Sequence, residues 1–276
     1  MRRTSLVRVT ALILAGIPLL AQQPSQTQPQ QPAQPQAQAG PHPKSQKEVD
    51  ALKQVQAAAQ ANNWDGELQA INNVLENFAD TEFKPMLLSM AMDAAQRKGD
   101  FPQTVVWGER IIQNDPNDFV ARILLAAAIA QHTRENDLDK DQSLKKIEDY
   151  ANKGLDLLKT ASDTPFSGFN GSAADYAAFK KDQAGLAHTA LAEADELRKK
   201  FPEAIEQYKT ALSEASHPNP ATLAFLSRAY VENKQYDDAI ATADKVSAIA
   251  DAPPQVKQFA QIQKANATKL KAAPAK

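Results

Sequence analysis

The chain has 276 residues, of which 43% are hydrophobic and 6% aromatic, and it carries 31 lysines and arginines against 33 aspartates and glutamates. Only 9 glycines and many alanines favour a mainly helical protein over a β-sandwich or a β-barrel. The absence of cysteine excludes disulfides, thiol nucleophiles and cysteine-ligated metal centres, and a net charge of −2 gives no electrostatic basis for binding nucleic acid.

Residues 1–21 have the layout of a secretory signal peptide. Three arginines lie within the first eight residues, and an uninterrupted stretch without charges follows from residue 9 to residue 20. This stretch is shorter than the roughly 20 apolar residues that a membrane-spanning helix needs. We therefore expect export across a bacterial inner membrane, cleavage after Ala21, and a periplasmic or secreted protein without a stable membrane span. An uncleaved amphipathic anchor is the alternative.

Residues 22–47 form a low-complexity segment. Glutamine and proline fill 16 of its 26 positions, and no large apolar side chain occurs in it. Such a composition cannot bury enough apolar surface to offset the entropy of ordering the chain. The sequence therefore predicts a disordered Gln/Pro-rich linker over residues 22–47.

Four stretches of the remaining chain share one pattern. Each has an aromatic residue, an apolar residue four positions later, preceded by alanine in the last two stretches, and further apolar residues about ten positions later. Each follows an apolar-periodic segment about fourteen residues long, which is a typical helix length. The aromatic residues are Trp64, Phe101, Phe201 and Tyr236. The pattern indicates a repeated pair of helices.

This pattern resembles the tetratricopeptide repeat, a helix–turn–helix unit of 34 residues. The resemblance rests on the Gly-Asp-Phe turn at 99–101, on the Asn-Asp-Pro-Asn-Asp segment at 114–118 and on the Ala-Ile and Ala-Leu pairs that follow the aromatic residues. It implies an all-α protein, an α-solenoid of stacked helix–turn–helix repeats. We expect about five repeats and a C-terminal capping helix over residues 48–270, with a disordered tail at 271–276. Glu67 departs from the family, which has a small residue at that position.

The third repeat and the segment after it depart from the regular spacing. We expect helices at Phe119–His132 and Ser143–Lys159 with a polar insertion between them, a loop over 160–172, and an unusually long helix from Ala173 to about Lys200. The capping helix is expected over Val256–Leu270.

The sequence carries no recognisable catalytic or cofactor motif. Its histidines (His42, His132, His188 and His217) lack the spacing of metal ligands, and no phosphate-binding loop or nucleophile elbow occurs. The aspartates within 137–141 resemble the start of a calcium loop, but the glycine that such a loop needs is missing, which favours a solvated turn. We predict a non-enzymatic protein that uses no metal or cofactor.

The family resemblance implies a concave groove, lined by the first helices of the repeats, that binds an extended peptide or a helix of another protein. We expect the partner to be a protein or peptide of the cell envelope. We transfer the groove-facing positions of the family's repeats to this sequence. The groove residues predicted in this way are Ser89, Asp93, Arg97, Ile123, Ala127, Gln131, Thr189, Glu193, Glu196, Ala224, Arg228 and Glu232. Only Arg97 and Arg228 are basic among them, which argues against capture of a partner's terminal carboxylate.

A second hypothesis concerns the aromatic loop around Phe166–Tyr176. Phe166, Phe169 and Tyr176 lie close to Gly168 and Gly171 in sequence, so that aromatic rings occur beside flexible backbone. Aromatic faces can stack on sugars or on apolar ligands. The alternative function is therefore binding of a small molecule or a glycan in the envelope, although such rings also serve to anchor a loop to the core.

Overall fold

The computed structural model describes residues 40–166 and 169–273. The predicted signal peptide, residues 22–39 of the predicted linker, residues 167–168 and the last three residues of the tail lie outside the described residues. Within them the structure is all-helical, with eleven helices: α1 (Gln46–Gln60), α2 (Trp64–Asn77), α3 (Lys84–Lys98), α4 (Phe101–Asn114), α5 (Phe119–His132), α6 (Lys140–Thr160), α7 (Ala173–Leu197), α8 (Phe201–Glu214), α9 (Pro220–Glu232), α10 (Tyr236–Ala248) and α11 (Pro254–Ala272).

The helices are stacked in chain order as five pairs followed by one single helix. Each helix packs against the next one along the chain, α5 also packs on α7, and α11 packs on both α9 and α10. Apolar groups are buried along the whole stack, from Ile71 and Leu87 through Ile147 to Tyr208 and Val246. No pair could bury its apolar residues alone, so each relies on its neighbours. The predicted α-solenoid with a capping helix is confirmed.

The four aromatic residues that carry the sequence pattern are the first residues of α2, α4, α8 and α10. The residue two positions before each aromatic has a left-handed backbone conformation, with φ between 52° and 74°. The residue between them donates its backbone N–H to the carbonyl five positions earlier, at 2.8–3.0 Å. This bond pattern closes the C-terminus of the preceding helix. The repeated aromatic therefore marks a repeated turn; its left-handed residues are Asn62, Gly99, Lys199 and Lys234.

Some element bounds differ from the sequence prediction. Helix α6 begins at Lys140, which shortens the insertion, and α7 ends at Leu197 because Lys199 turns left-handed. Helix α1 begins at Gln46, and Lys44 donates to the carboxylate of Asp80 at 2.8 Å. The end of the predicted linker is thus part of the folded domain, which begins before the expected residue 48.

Candidate functional site

A cleft of about 520 Å³ opens where the last turns of α5, α7 and α9 come together. The segment after α5 and the first residue of α8 complete its walls. Its lining combines aromatic and apolar side chains with charged ones of both signs. The lining residues are Ala130, Gln131, Thr133, Arg134, Glu135, Glu193, Glu196, Leu197, Lys199, Phe201, Phe225, Arg228 and Glu232.

The polar insertion after α5 forms one wall of the cleft and is held by its own hydrogen bonds. Arg134 donates from Nη1 to the carbonyl oxygens of Gln131, at 2.6 Å, and Thr133, at 3.2 Å. Its backbone N–H donates to the carboxylate of Asp137 at 2.6 Å. Glu135 forms an ion pair with Lys199 at 2.8 Å, which ties this wall to the turn between α7 and α8.

An ion pair at the centre of the cleft joins α7 to α9. Arg228 donates from Nε to Oε1 of Glu196 at 3.1 Å, and a second bond joins its Nη2 to Oε2. Tyr208 of α8 donates its hydroxyl to the same Oε2 at 2.7 Å. Glu196 and Tyr208 are 8% and 0% exposed, so this carboxylate is fully occupied by partners of its own chain. The network fixes the relative positions of α7, α8 and α9.

Aromatic rings lie against this ion pair. The guanidinium of Arg228 lies 5.0 Å from the ring centre of Phe225 and 5.7 Å from that of Phe259. The two rings meet edge to face, with their centres 6.0 Å apart. Cation–π contacts of this kind stabilise a partly buried arginine. Phe225 is only partly buried, so it also offers apolar surface to the cleft.

Two carboxylates of the cleft have no such partner. Neither Glu193 nor Glu232 forms a hydrogen bond or an ion pair with the described part of the chain. Burial raises the pKa of Glu193 to about 7, and the nearby charge of Glu196 adds to the shift, while Arg228 and Arg134 oppose it. The cleft therefore contains unsatisfied acceptor oxygens beside apolar surface.

The comparisons with known proteins agree with this architecture. Residues 197–262, which include the second half of the cleft, match the family model of the tetratricopeptide repeat. This match assigns residues 197–262 to the tetratricopeptide repeat.

Two solved structures show the same fold at low sequence identity. TTC0263, a thermophilic tetratricopeptide repeat protein of Thermus thermophilus, is 13% identical with a TM-score of 0.51, over 80% of this chain and 99% of that one. The MamA RS-1 ArsTM double mutant is 13% identical with a TM-score of 0.52, over 80% of this chain and 98% of that one. Such identities show the fold alone. The comparison with curated proteins found no match.

The stacked helix pairs bring part of the predicted groove together. Gln131, Glu193, Arg228 and Glu232 all line the cleft, as does Glu196. They come from three different first helices, as the repeat positions predicted. The fold is the one that interaction scaffolds use, because the first helices of successive repeats leave a shared surface open for a partner.

Two predicted groove residues are instead buried between helices. Ile123 is fully buried, and a Cβ at Gly154 of α6 would lie only 2.6 Å from it. Thr189 is 8% exposed and lies 3.1 Å from the hydroxyl of Thr222 in α9. Both predictions were wrong because the faces of α5 and α7 that were expected to be open pack against neighbouring helices. Ala127 and Ala224 are buried as well.

The remaining predicted groove residues lie on α3, outside the cleft. Ser89 is exposed, and Arg97 pairs with Asp93 at 2.5 Å. The guanidinium of Arg97 lies 5.4 Å from the ring centre of Trp64. These residues form a separate surface over the first two repeats, with the buried Glu67 beneath it.

Sequence reasoning missed the residues of the insertion wall and Phe225. Arg134 and Glu135 belong to a segment that the repeat pattern treats only as an interruption, and an insertion has no repeat position to carry over. The position of the insertion could have revealed these residues. It follows directly after the last turn of a repeat's first helix, and an inserted segment at that point extends the inner surface of the stack.

The described aromatic rings of the loop contact one another. The ring centres of Phe166 and Phe169 are 5.6 Å apart, and those of Phe169 and Tyr176 are 5.1 Å apart, both in edge-to-face contact. Tyr176 is 3% exposed, and Lys180 lies 5.5 Å from its ring centre. These contacts anchor the loop to the start of α7, while Phe166 remains 41% exposed, so the ligand-binding hypothesis for this segment stays a prediction.

Residues 40–166 and 169–273 contain no group of three or more acidic or histidine side chains placed to hold a metal ion. Among the same residues, no helix combines the length and the apolar character needed to cross a bilayer. His188 contacts Gln207 at 2.7 Å in a partly buried position, and His217 lies at the surface beside Asp182.

Proposed function

We propose that this chain is an exported, non-enzymatic scaffold of the bacterial cell envelope, which binds a segment of another protein in the cleft between α5, α7 and α9. The observation that carries the proposal is the cleft itself. Partly exposed aromatic side chains line it together with charged ones, and three repeats contribute to it. A buried apolar centre with a polar rim is the usual anatomy of a protein–protein interface.

The rigidity of the cleft supports a binding role. The pair formed by Arg228 and Glu196, the hydroxyl of Tyr208 and the pair formed by Lys199 and Glu135 hold its walls in place before any partner arrives. A preformed site loses less conformational entropy on binding than a flexible one. The cleft is therefore suited to an extended segment or one face of a helix.

The cellular compartment rests on the sequence. Residues 1–21 have the charge and apolar layout of a secretory signal peptide, and the cysteine-free chain can fold in an oxidising compartment without side reactions of thiols. The test is N-terminal sequencing of the protein from an envelope fraction of its own cells. A start at Gln22 supports export, and an intact Met1 on protein found only in the cytosol contradicts it.

Site-specific photo-crosslinking in the producing cells tests the cleft. A photoreactive amino acid at Gln131, an exposed residue of the rim, should yield a discrete crosslinked product. The same group at Asp156, exposed on α6 outside the cleft, is the matched control. A product that forms at Gln131, disappears in the Phe225→Ser variant and is absent at Asp156 supports the proposal. Equal labelling at both positions contradicts it.

A further inference from the structure

The charged side chains that line the cleft are three cations, each bound within the chain, and four carboxylates, of which only Glu135 and Glu196 are paired. Each of the three cations is already bound: Arg228 to Glu196, Lys199 to Glu135, and Arg134 to two backbone carbonyls. A partner that presents a carboxylate would compete with Glu196 for Arg228 and with Glu135 for Lys199. Two of the three cations are therefore already neutralised within the chain, and only Arg134, whose partners are carbonyl oxygens, keeps an uncompensated charge.

The unsatisfied groups are acceptors. Glu193 and Glu232 make no hydrogen bond or ion pair with the described residues, and both line the cleft. Glu193 is half-buried, whereas Glu232 is exposed at the rim. The groups that would complement them are cationic donors, because an ionised carboxylate only accepts hydrogen bonds.

The backbone of three helices adds to the negative electrostatic potential of the two carboxylates. The cleft is lined by the last turns of α5, α7 and α9, so three helix C-termini are directed towards one region. Each C-terminus carries a partial negative charge and leaves carbonyl groups without intrahelical donors. The guanidinium of Arg134 already donates to a backbone carbonyl at the C-terminus of α5, so this chain itself contains an example of a cation bound at such a helix end.

We propose that the partner segment places a lysine or arginine side chain in the cleft that Glu193 and Glu232 line, with the aliphatic part of that side chain against Leu197 and Phe225. This inference rests on the proposed function and specifies its partner. The long aliphatic stem of a lysine or arginine suits the apolar wall, and its charged end suits the two carboxylates. The partly exposed ring of Phe225 adds a face for a cation–π contact.

The energetics of the free protein agree with this assignment. Burial raises the pKa of Glu193 to about 7, so its ionised form is disfavoured in the empty cleft. A carboxylate that destabilises the free protein is characteristic of a site that is complemented by a ligand. A bound cation would favour the ionised form of Glu193.

A peptide-display library panned on the full chain tests the proposal. Selections are run in parallel on the unmodified chain, on the Glu193→Gln/Glu232→Gln variant and on an Asp156→Asn/Glu206→Gln control. The control removes two exposed carboxylates outside the cleft. Helical circular dichroism and thermal unfolding establish that the variants are folded. We expect enriched peptides with lysine or arginine at one fixed position, and loss of that preference only in the cleft variant.

The strongest peptide is then resynthesised with norleucine in place of its basic residue. This change should weaken binding to the unmodified chain at least ten-fold and to the cleft variant less than two-fold. Enriched peptides that are neutral or acidic, or a basic preference that survives in the cleft variant, would overturn the inference and leave the interaction function standing. No enrichment on any of the three proteins would contradict the proposed peptide-binding function itself.

Discussion

Arg228 of α9 donates from Nε to Oε1 of Glu196 on α7 at 3.1 Å, so that an ion pair joins the first helices of two successive repeats. The carboxylate of Glu196 also accepts the hydroxyl of Tyr208 on α8. This arrangement makes Arg228 a structural member of the cleft rather than a group available to a partner. A charge reversal at Arg228 would therefore alter the cleft itself, and a loss of binding in such a variant would not identify a contact.

The ion pair between Arg228 and Glu196 predicts that substitutions of these two residues have strongly interdependent effects on the free energy of unfolding. Arg228→Met leaves the buried carboxylate of Glu196 without its counter-ion and should lower the free energy of unfolding by about 3 kcal/mol. Adding Glu196→Gln removes the uncompensated charge, so the double variant should recover about 2 kcal/mol of this loss. Urea unfolding of both single variants and the double variant measures the coupling. Strictly additive effects would show that the two side chains do not depend on each other.

A second buried carboxylate makes stability depend on pH. Glu67 of α2 is 4% exposed, and burial raises its pKa to about 7, with a further contribution from Asp93 and an opposing one from Arg97. In the unfolded chain a glutamate titrates near 4.3, so between these values the folded form holds a proton that the unfolded form has lost. The free energy of unfolding therefore falls as pH rises from about 5 to 7.

Glu67→Gln should remove this dependence. The free energy of unfolding of the variant should equal that of the unmodified chain at pH 5. At pH 8 it should be higher by about 3 kcal/mol, because the amide is never ionised. Urea unfolding at the two pH values measures the difference. Glu76→Gln, an exposed position on the same helix, is the control and should change little at either pH. A constant difference between Glu67→Gln and the unmodified chain at both pH values would contradict the prediction.

The sequence predicted the turns of the solenoid better than its surfaces. An aromatic at the start of each second helix gives a local signal, since the turn before it is made within a few residues. Exposure of Ile123 or Thr189 depends instead on how closely α6 and α9 approach, which small residues such as Gly154 and Thr222 decide. Such contacts between distant segments are not encoded in a repeat position.

The left-handed turn residues predict opposite effects of two substitutions. Gly99 has a φ of 74° and no atom within 4 Å of an added Cβ, so Gly99→Ala should lower the free energy of unfolding by about 1 kcal/mol through backbone strain alone. Lys234 holds a φ of 61° without being a glycine. Lys234→Gly should therefore raise the free energy of unfolding, by about 0.5 kcal/mol, and Lys234→Ala should not.

Thermal and urea unfolding of these three variants checks the prediction. Both positions lie in turns of the same geometry, so each serves as the control for the other. If Lys234→Gly lowers the free energy of unfolding, the side chain of Lys234 stabilises the fold by more than the strain of its left-handed backbone destabilises it.

The ionisation of Glu193 predicts a pH dependence of partner binding. The groups around its carboxylate are Glu196 on α7, Tyr208 on α8, Arg228 on α9 and Arg134 in the insertion wall, and burial with the charge of Glu196 holds the pKa of Glu193 at about 7. A cationic side chain binds the ionised form, so the affinity for a lysine-bearing peptide should rise about ten-fold between pH 6 and pH 8. The Glu193→Gln variant should keep the weak binding at both pH values.

Fluorescence anisotropy measures the affinity. The peptide is acetylated, amidated and free of histidine, so that it does not itself titrate in this pH range. A ten-fold rise that persists in Glu193→Gln would assign the dependence to another group, and a flat profile in the unmodified chain would place the cation away from Glu193.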